Sequence, residues 1–122
     1  MELQKVKGDF SICKVATIKQ IDFSKELLFV AQTPDEISVV CESAYLPQEC
    51  IEVENGWNVL KVSGMLDFGL IGIIAKISNI LADAKISIFV VSTYNTDYIL
   101  LKTESFEKGL QVLRQEGYVI VE

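Results

Sequence analysis

At 122 residues, half of them hydrophobic, the chain can bury one domain's core, or that of two very small domains sharing one. A net charge of −6, with acids and bases interspersed, speaks against nucleic acid, which rewards basic patches. The chain has no histidine, which removes Ser-His and Cys-His catalysis and the commonest zinc ligand.

Residues 1–8 read as a loose lead-in. Residues 10–17 (Phe-Ser-Ile-Cys-Lys-Val-Ala-Thr) alternate like a strand. Residues 20–26 form a connection of about one helical turn, and 27–32 a second strand. Thr33-Pro34-Asp35-Glu36 is turn chemistry, because proline pre-sets φ at the first corner and Asp35 tolerates the second. Residues 37–42 complete a hairpin. Pro47 limits any helix over 43–49 to about a turn. A fourth strand, 50–54, ends at Asn55-Gly56.

The second half begins with a strand over 57–64. Leu70, Ile73, Ile74, Ile77, Ile80, Leu81 and Ala84 recur at helical spacing, which predicts a helix over 68–84 with Asp67 as its N-cap. A strand (86–93), a turn at Tyr94-Asn95-Thr96 and another strand (97–102) follow. A helix over 106–116, capped by Ser105 and stopped by Gly117, leads to a closing strand over 118–121. The order of this half is βαββαβ.

The chain repeats itself. Phe10-Ser-Ile-Cys-Lys-Val-Ala lies over Trp57-Asn-Val-Leu-Lys-Val-Ser (57 − 10 = 47), and Phe29-Val-Ala-Gln-Thr33 over Phe89-Val-Val-Ser-Thr93 (89 − 29 = 60). The gain falls where the second half inserts its long helix. The expectation is an α+β fold: a degenerate N-terminal copy (1–55) and a complete C-terminal one (56–122). Their sheets would join edge to edge, which removes two open edges, with helices mainly on one face.

No apolar window reaches the ~20 residues that cross a bilayer. The opening residues lack the apolar core of a signal peptide, so a cytoplasmic protein without a membrane partner is expected. Cys13, Cys41 and Cys50 are odd in number with no CxxC, and read as free thiols.

Two stretches carry a resemblance. They are Gly64-Met-Leu-Asp67-Phe68-Gly69-Leu70-Ile-Gly72-Ile73, and residues 81–100, which include Ser92-Thr93-Tyr94-Asn-Thr-Asp97-Tyr98. Together they resemble ACT domains, amino-acid-binding regulatory βαββαβ modules of ferredoxin-like fold. The resemblance is to small stand-alone tandem-ACT proteins related to the regulatory part of aspartate kinase and to the cytosolic arginine sensor of animals. It departs at Ala84-Lys85-Ile86, where the family often has Ala-Gly-Ile. Lys85 must then take the helix-ending position, where φ is often positive, at a cost of about 1 kcal/mol relative to glycine.

The resemblance implies a ligand held between the first-strand-to-helix loop of one unit and the second strand of a neighbour. A free amino acid is a zwitterion. The backbone N–H groups of Phe68, Gly69 and Leu70, at a helix N-terminus, suit its carboxylate. Gly69 and Gly72 permit close approach, Asp67 or Asp97 suits the ammonium, and Ser92 and Thr93 add hydroxyls. The expected protein is a regulatory homodimer without catalysis, metal or cofactor. It would bind a free amino acid or similar small zwitterion and address a metabolic enzyme or regulator. The alternative is a ligand-free structural or interaction module of the same fold.

Overall fold

The computed structural model describes residues 1–63 and 71–122. Among the described residues, seven strands and two α-helices run in the order β1 (Glu2–Val15), β2 (Leu28–Gln32), β3 (Ile37–Glu42), β4 (Glu52–Val62), α1 (Ile73–Asp83), β5 (Ile88–Ser92), β6 (Asp97–Lys102), α2 (Thr103–Gln115), β7 (Val119–Val121). Short 3-10 turns at Ile18–Gln20 and Ser43–Tyr45 stand in the first half where the second has its helices. The chain divides into two compact units, Gly8–Trp57 and Met1–Lys7 with Asn58–Glu122, so the division falls inside β1 and inside β4.

In the C-terminal unit the strand order is β7-β1-β4-β6-β5. Leu60 and Val62 of β4, Ile99 and Leu101 of β6, and Leu3 of β1 point to one face. Both helices lay their apolar stripes on that face, α1 with Ile77 and Leu81, α2 with Phe106, Leu110 and Leu113. Gly109 is what lets α2 lie so close, since a Cβ there would press on Leu101 Cδ2 of β6.

Both helices end in the same motif. After α1, Lys85 N–H donates to Ala82 O (2.9 Å) and Ile86 N–H to Leu81 O (2.9 Å). After α2, Gly117 N–H donates to Arg114 O (3.0 Å) and Tyr118 N–H to Leu113 O (3.1 Å). These paired bonds satisfy the last carbonyls and need positive φ at the residue that turns. Gly117 has φ +93° and Lys85 has φ +61°, the one non-glycine residue in that region among those described.

In the N-terminal unit β3 lies between β1 and β2, both antiparallel to it, with Cys13 opposite Val39 and Val30 opposite Val39 on the other side. Its smaller core is Cys13, Val15, Ile21, Val39 and Cys41. Beside it lies a polar cluster: the fully buried Ser11 hydroxyl donates to Asn55 Oδ1 (2.7 Å) and shares a hydrogen bond with the Ser43 hydroxyl (2.7 Å).

Four expectations need correction. Residues 1–8 are no lead-in, because β1 starts at Glu2 and pairs in parallel with β7 (Glu2 opposite Val119, Gln4 opposite Val121). Met1 O and Glu2 O accept from Val119 N–H and Ser63 N–H (both 3.1 Å), so this segment sits between β7 and the end of β4. A closing strand paired directly to β4, as in a plain ferredoxin-like order, is therefore not what forms. Second, the two strands expected over 50–54 and 57–64 are replaced by one, Glu52–Val62, because Gly56 passes through φ +81° without ending it. Third, α1 is capped by Gly72, not Asp67. Gly72 is left-handed (φ +81°), a conformation a right-handed helix does not run through. Fourth, α2 begins at Thr103 with Lys102 as its cap, three residues before Ser105.

Candidate functional site

The β5–β6 turn is built by two threonines. Thr93 N–H and its hydroxyl both donate to Thr96 O (2.8 Å each), and Thr96 N–H donates back to Thr93 Oγ1 (3.3 Å). This closes the turn on itself and sets Ser92 opposite Asp97. Thr96 then turns inward. It is 4 % exposed, and its hydroxyl donates to Val62 O (2.8 Å), the last residue of β4. A hydrogen bond made in a buried setting is costly to lose. The bond fixes Ser92, Thr93 and Asp97 at the end of the sheet where β4 leads toward α1. Ser92 and Thr93 are exposed and Asp97 is half-buried.

At the start of α1, Gly72 O accepts from Lys76 N–H (2.9 Å), the first bond of the helix. Gly72 has no side chain to cap the N–H groups of the first turn, and Ile73, Ile74 and Ala75 include no acid. The space where its Cβ would stand is open to 4 Å. Beside it lies a cleft of roughly 280 Å³, lined by Met1, Ile71, Gly72, Lys76, Glu116 and Tyr118 among others. Ile71 is 95 % exposed at its rim. Lys76 and Glu116 give this cleft one charge of each sign. Burial, and secondarily the Glu116 carboxylate, pushes the Tyr118 phenol above its usual range, so it stays a neutral donor at physiological pH.

Of the eight residues the sequence singles out, Asp67, Phe68, Gly69 and Leu70 lie outside the described residues. Gly72 is at the α1 cleft. Ser92, Thr93 and Asp97 stand together at the β5–β6 turn and are not among the described residues lining that cleft. Sequence reasoning missed Thr96, Lys76 and Glu116. Thr96 had a signal: it occupies the repeat position of Glu36 (96 − 36 = 60), and a hydroxyl replacing a carboxylate there marks a position turned inward. Lys76 and Glu116 had none, because they are 40 residues apart (116 − 76 = 40) and only the fold makes them neighbours.

Residues 52–115 match the ACT domain, just over half of the chain. The chain belongs to the ACT domain family. The match begins at the first residue of β4 and ends at the last of α2, so it takes in the Thr96–Val62 tie and the start of α1. Over 64 residues the chain is 38 % identical to the human (Homo sapiens) cytosolic arginine sensor for mTORC1 subunit 1. That stretch is 50 % of this chain and 20 % of the sensor, so this ACT chain spans about a fifth of the curated relative's length. Protein Atu0741 of Agobacterium tumefaciens has the same fold throughout, with TM-score 0.87, 28 % identity, and coverage of 98 % of this chain and 91 % of that one. The allosteric aspartate kinase of Clostridium acetobutylicum shares the fold at TM-score 0.64 and 15 % identity, over 88 % of this chain and 32 % of the kinase.

Proposed function

We propose that this ACT-domain chain is a non-catalytic regulatory module that binds a free amino acid or a similar small zwitterion. The observation that carries the reading is the opening of α1: first-turn amides with no side-chain cap from Gly72, no acid in that turn, and an open cleft beside it. Amides so placed attract a carboxylate. The ammonium goes to Asp97, with Asp67 as the second acid, and Ser92 and Thr93 supply hydroxyls at the rim. Gly69 admits the ligand against the backbone, flanked by the N–H groups of Phe68 and Leu70. The acid and hydroxyls come from the β5–β6 turn of a neighbouring unit, which makes the working form a homodimer. Two ACT-like copies, 1–55 and 56–122, compose each chain, with their sheets joined edge to edge. Ligand binding shifts how two such units meet, and a metabolic enzyme or regulator in the cytoplasm reads the shift, limited by the ligand's differential affinity for the two arrangements. The sensing named for the human relative and the allostery named for the kinase support this reading by kinship.

A melting-temperature screen against the common amino acids tests it. A ligand at 100 times its dissociation constant stabilises by about 2.7 kcal/mol. Asp97→Ala should abolish the shift, and a shift retained in that variant moves the site elsewhere. One observation favours the second reading, a ligand-free interaction module. Both the amide and the hydroxyl of Thr93 are used in closing its own turn. No shift with any amino acid at millimolar concentration selects that reading.

A further inference from the structure

The three cysteines, scattered in sequence, meet in the N-terminal unit. Cys13 is opposite Val39 and Cys41 is opposite Ser11 on the paired strands β1 and β3. The two are therefore diagonal neighbours on one sheet face, since side chains two residues apart point the same way. Both are buried, at 3 % exposure each. Cys50 arrives from the connection between β3 and β4. Ile51 N–H donates to Lys14 O (2.7 Å), which fastens this connection alongside β1 one residue from Cys13. Cys50 packs against the cluster that contains Cys13 and Cys41, and its thiol donates to Pro47 O (3.3 Å). Cys13 is the central thiol: Cys41 shares its buried cluster, Cys50 packs against that cluster, and both neighbouring thiols act on it. Cys50 alone of the three is half-exposed.

We propose that Cys50 and Cys13 are a peroxide-sensitive dithiol that closes to a reversible disulfide. The half-exposed sulfur is the one a small oxidant reaches. The Cys50 thiolate attacks one oxygen of hydrogen peroxide. The O–O bond breaks, water leaves after protonation, and Cys50 becomes a sulfenic acid. The Cys13 sulfur then attacks the Cys50 sulfur, the S–O bond breaks, and the Cys13 proton leaves with the hydroxide as a second water. The two thiols lose two electrons and the peroxide gains them. Order of attack follows from burial. Desolvation first, then the Cys50 and Cys41 thiols around it, pushes the Cys13 thiol up to about 12, so Cys13 waits as a protonated thiol and does not react with bulk oxidant. Cys41 is likewise pushed up by burial. The bridge would join β1 to the connection before β4, beside the Ile51 N–H to Lys14 O bond. The site is independent of the amino-acid reading, since every residue in it belongs to the N-terminal unit.

The test uses the full chain, treated with hydrogen peroxide, unfolded, alkylated with a maleimide and weighed intact, then mapped by proteolysis. The expected product has lost two hydrogens, takes one maleimide, on Cys41, and yields a linked Cys13–Cys50 peptide that dithiothreitol separates. It should also melt at a higher temperature than the reduced form, because a bridge constrains the unfolded chain. Cys50→Ser, a change at a half-exposed position, should slow the loss of the Cys13 thiol by roughly tenfold or more, as it removes the reachable nucleophile. Cys41→Val should leave the bridge intact. Three free thiols after treatment overturn the proposal. So do a Cys50 that proceeds to sulfinic acid with Cys13 still alkylated, a Cys50–Cys50 link between chains, and an unchanged rate in Cys50→Ser.

Discussion

Thr33 and Thr93 close their hairpin turns in the same way. In each, the threonine N–H and hydroxyl address the carbonyl three residues on, at Glu36 or Thr96. The strands repeat as well: β2 begins at Leu28 and β5 at Ile88 (88 − 28 = 60), and the registers match, Gln32 opposite Ile37 and Ser92 opposite Asp97. The turns part at their last residue. Glu36 is exposed, whereas Thr96 is buried and bonded to the end of β4. The connections differ too: the N-terminal unit has 3-10 turns where the C-terminal unit has α-helices. The local turn is thus set by a threonine and its neighbours. The second turn alone adds a buried hydroxyl tie to the end of β4, beyond the pairing of β6 with β4 in the sheet.

Unequal cores give the largest expected effect. Leu110, 1 % exposed, belongs to a cluster of twelve buried residues, while the N-terminal cluster has five. Leu110→Ala should cost about 2–5 kcal/mol in urea unfolding. Cys41→Ala, which removes one sulfur from the smaller cluster, should cost clearly less, and equal losses would contradict the contrast. Thr96→Val keeps the shape and leaves Val62 O without its donor, so it should cost about 1–3 kcal/mol. Glu36→Gln, at the matching exposed position, should stay within about 0.5 kcal/mol. If the two variants lose the same stability, the inward hydroxyl is not what separates the turns. The smallest effect is a gain. Lys85→Gly, at φ +61° beside its counterpart Gly117, should stabilise by about 1 kcal/mol.

Much of this was legible beforehand, for physical reasons. The helical stripes, the two hairpins and the offsets of 47 and 60 are local patterns, and local patterns survive in sequence. The positive φ at Lys85 was read from the resemblance, where glycine is usual at that corner, and Lys85 has φ +61°. What failed was non-local. Residues 2–7 look like a charged tail, yet Leu3 is fully buried, because β7 and β4 flank it from sequence positions far away. Asn55-Gly56 looks like a break and is a kink within one strand. At the site, Gly72 was named for close approach and proves to be the cap itself, while Lys76 and Glu116 needed the fold to be seen.

The proposed function sets a carboxylate against the amides at the opening of α1 and an ammonium against Asp97. Calorimetric titration of the full chain with the amino acid that shifts its melting temperature most, repeated with that amino acid's amide and its N-acetyl derivative, tests this most directly. The account predicts saturable binding of the zwitterion and loss of at least tenfold in affinity for each blocked form, the N-acetyl loss vanishing in Asp97→Ala. Equal affinity for all three forms, or an N-acetyl penalty that persists without Asp97, would contradict it.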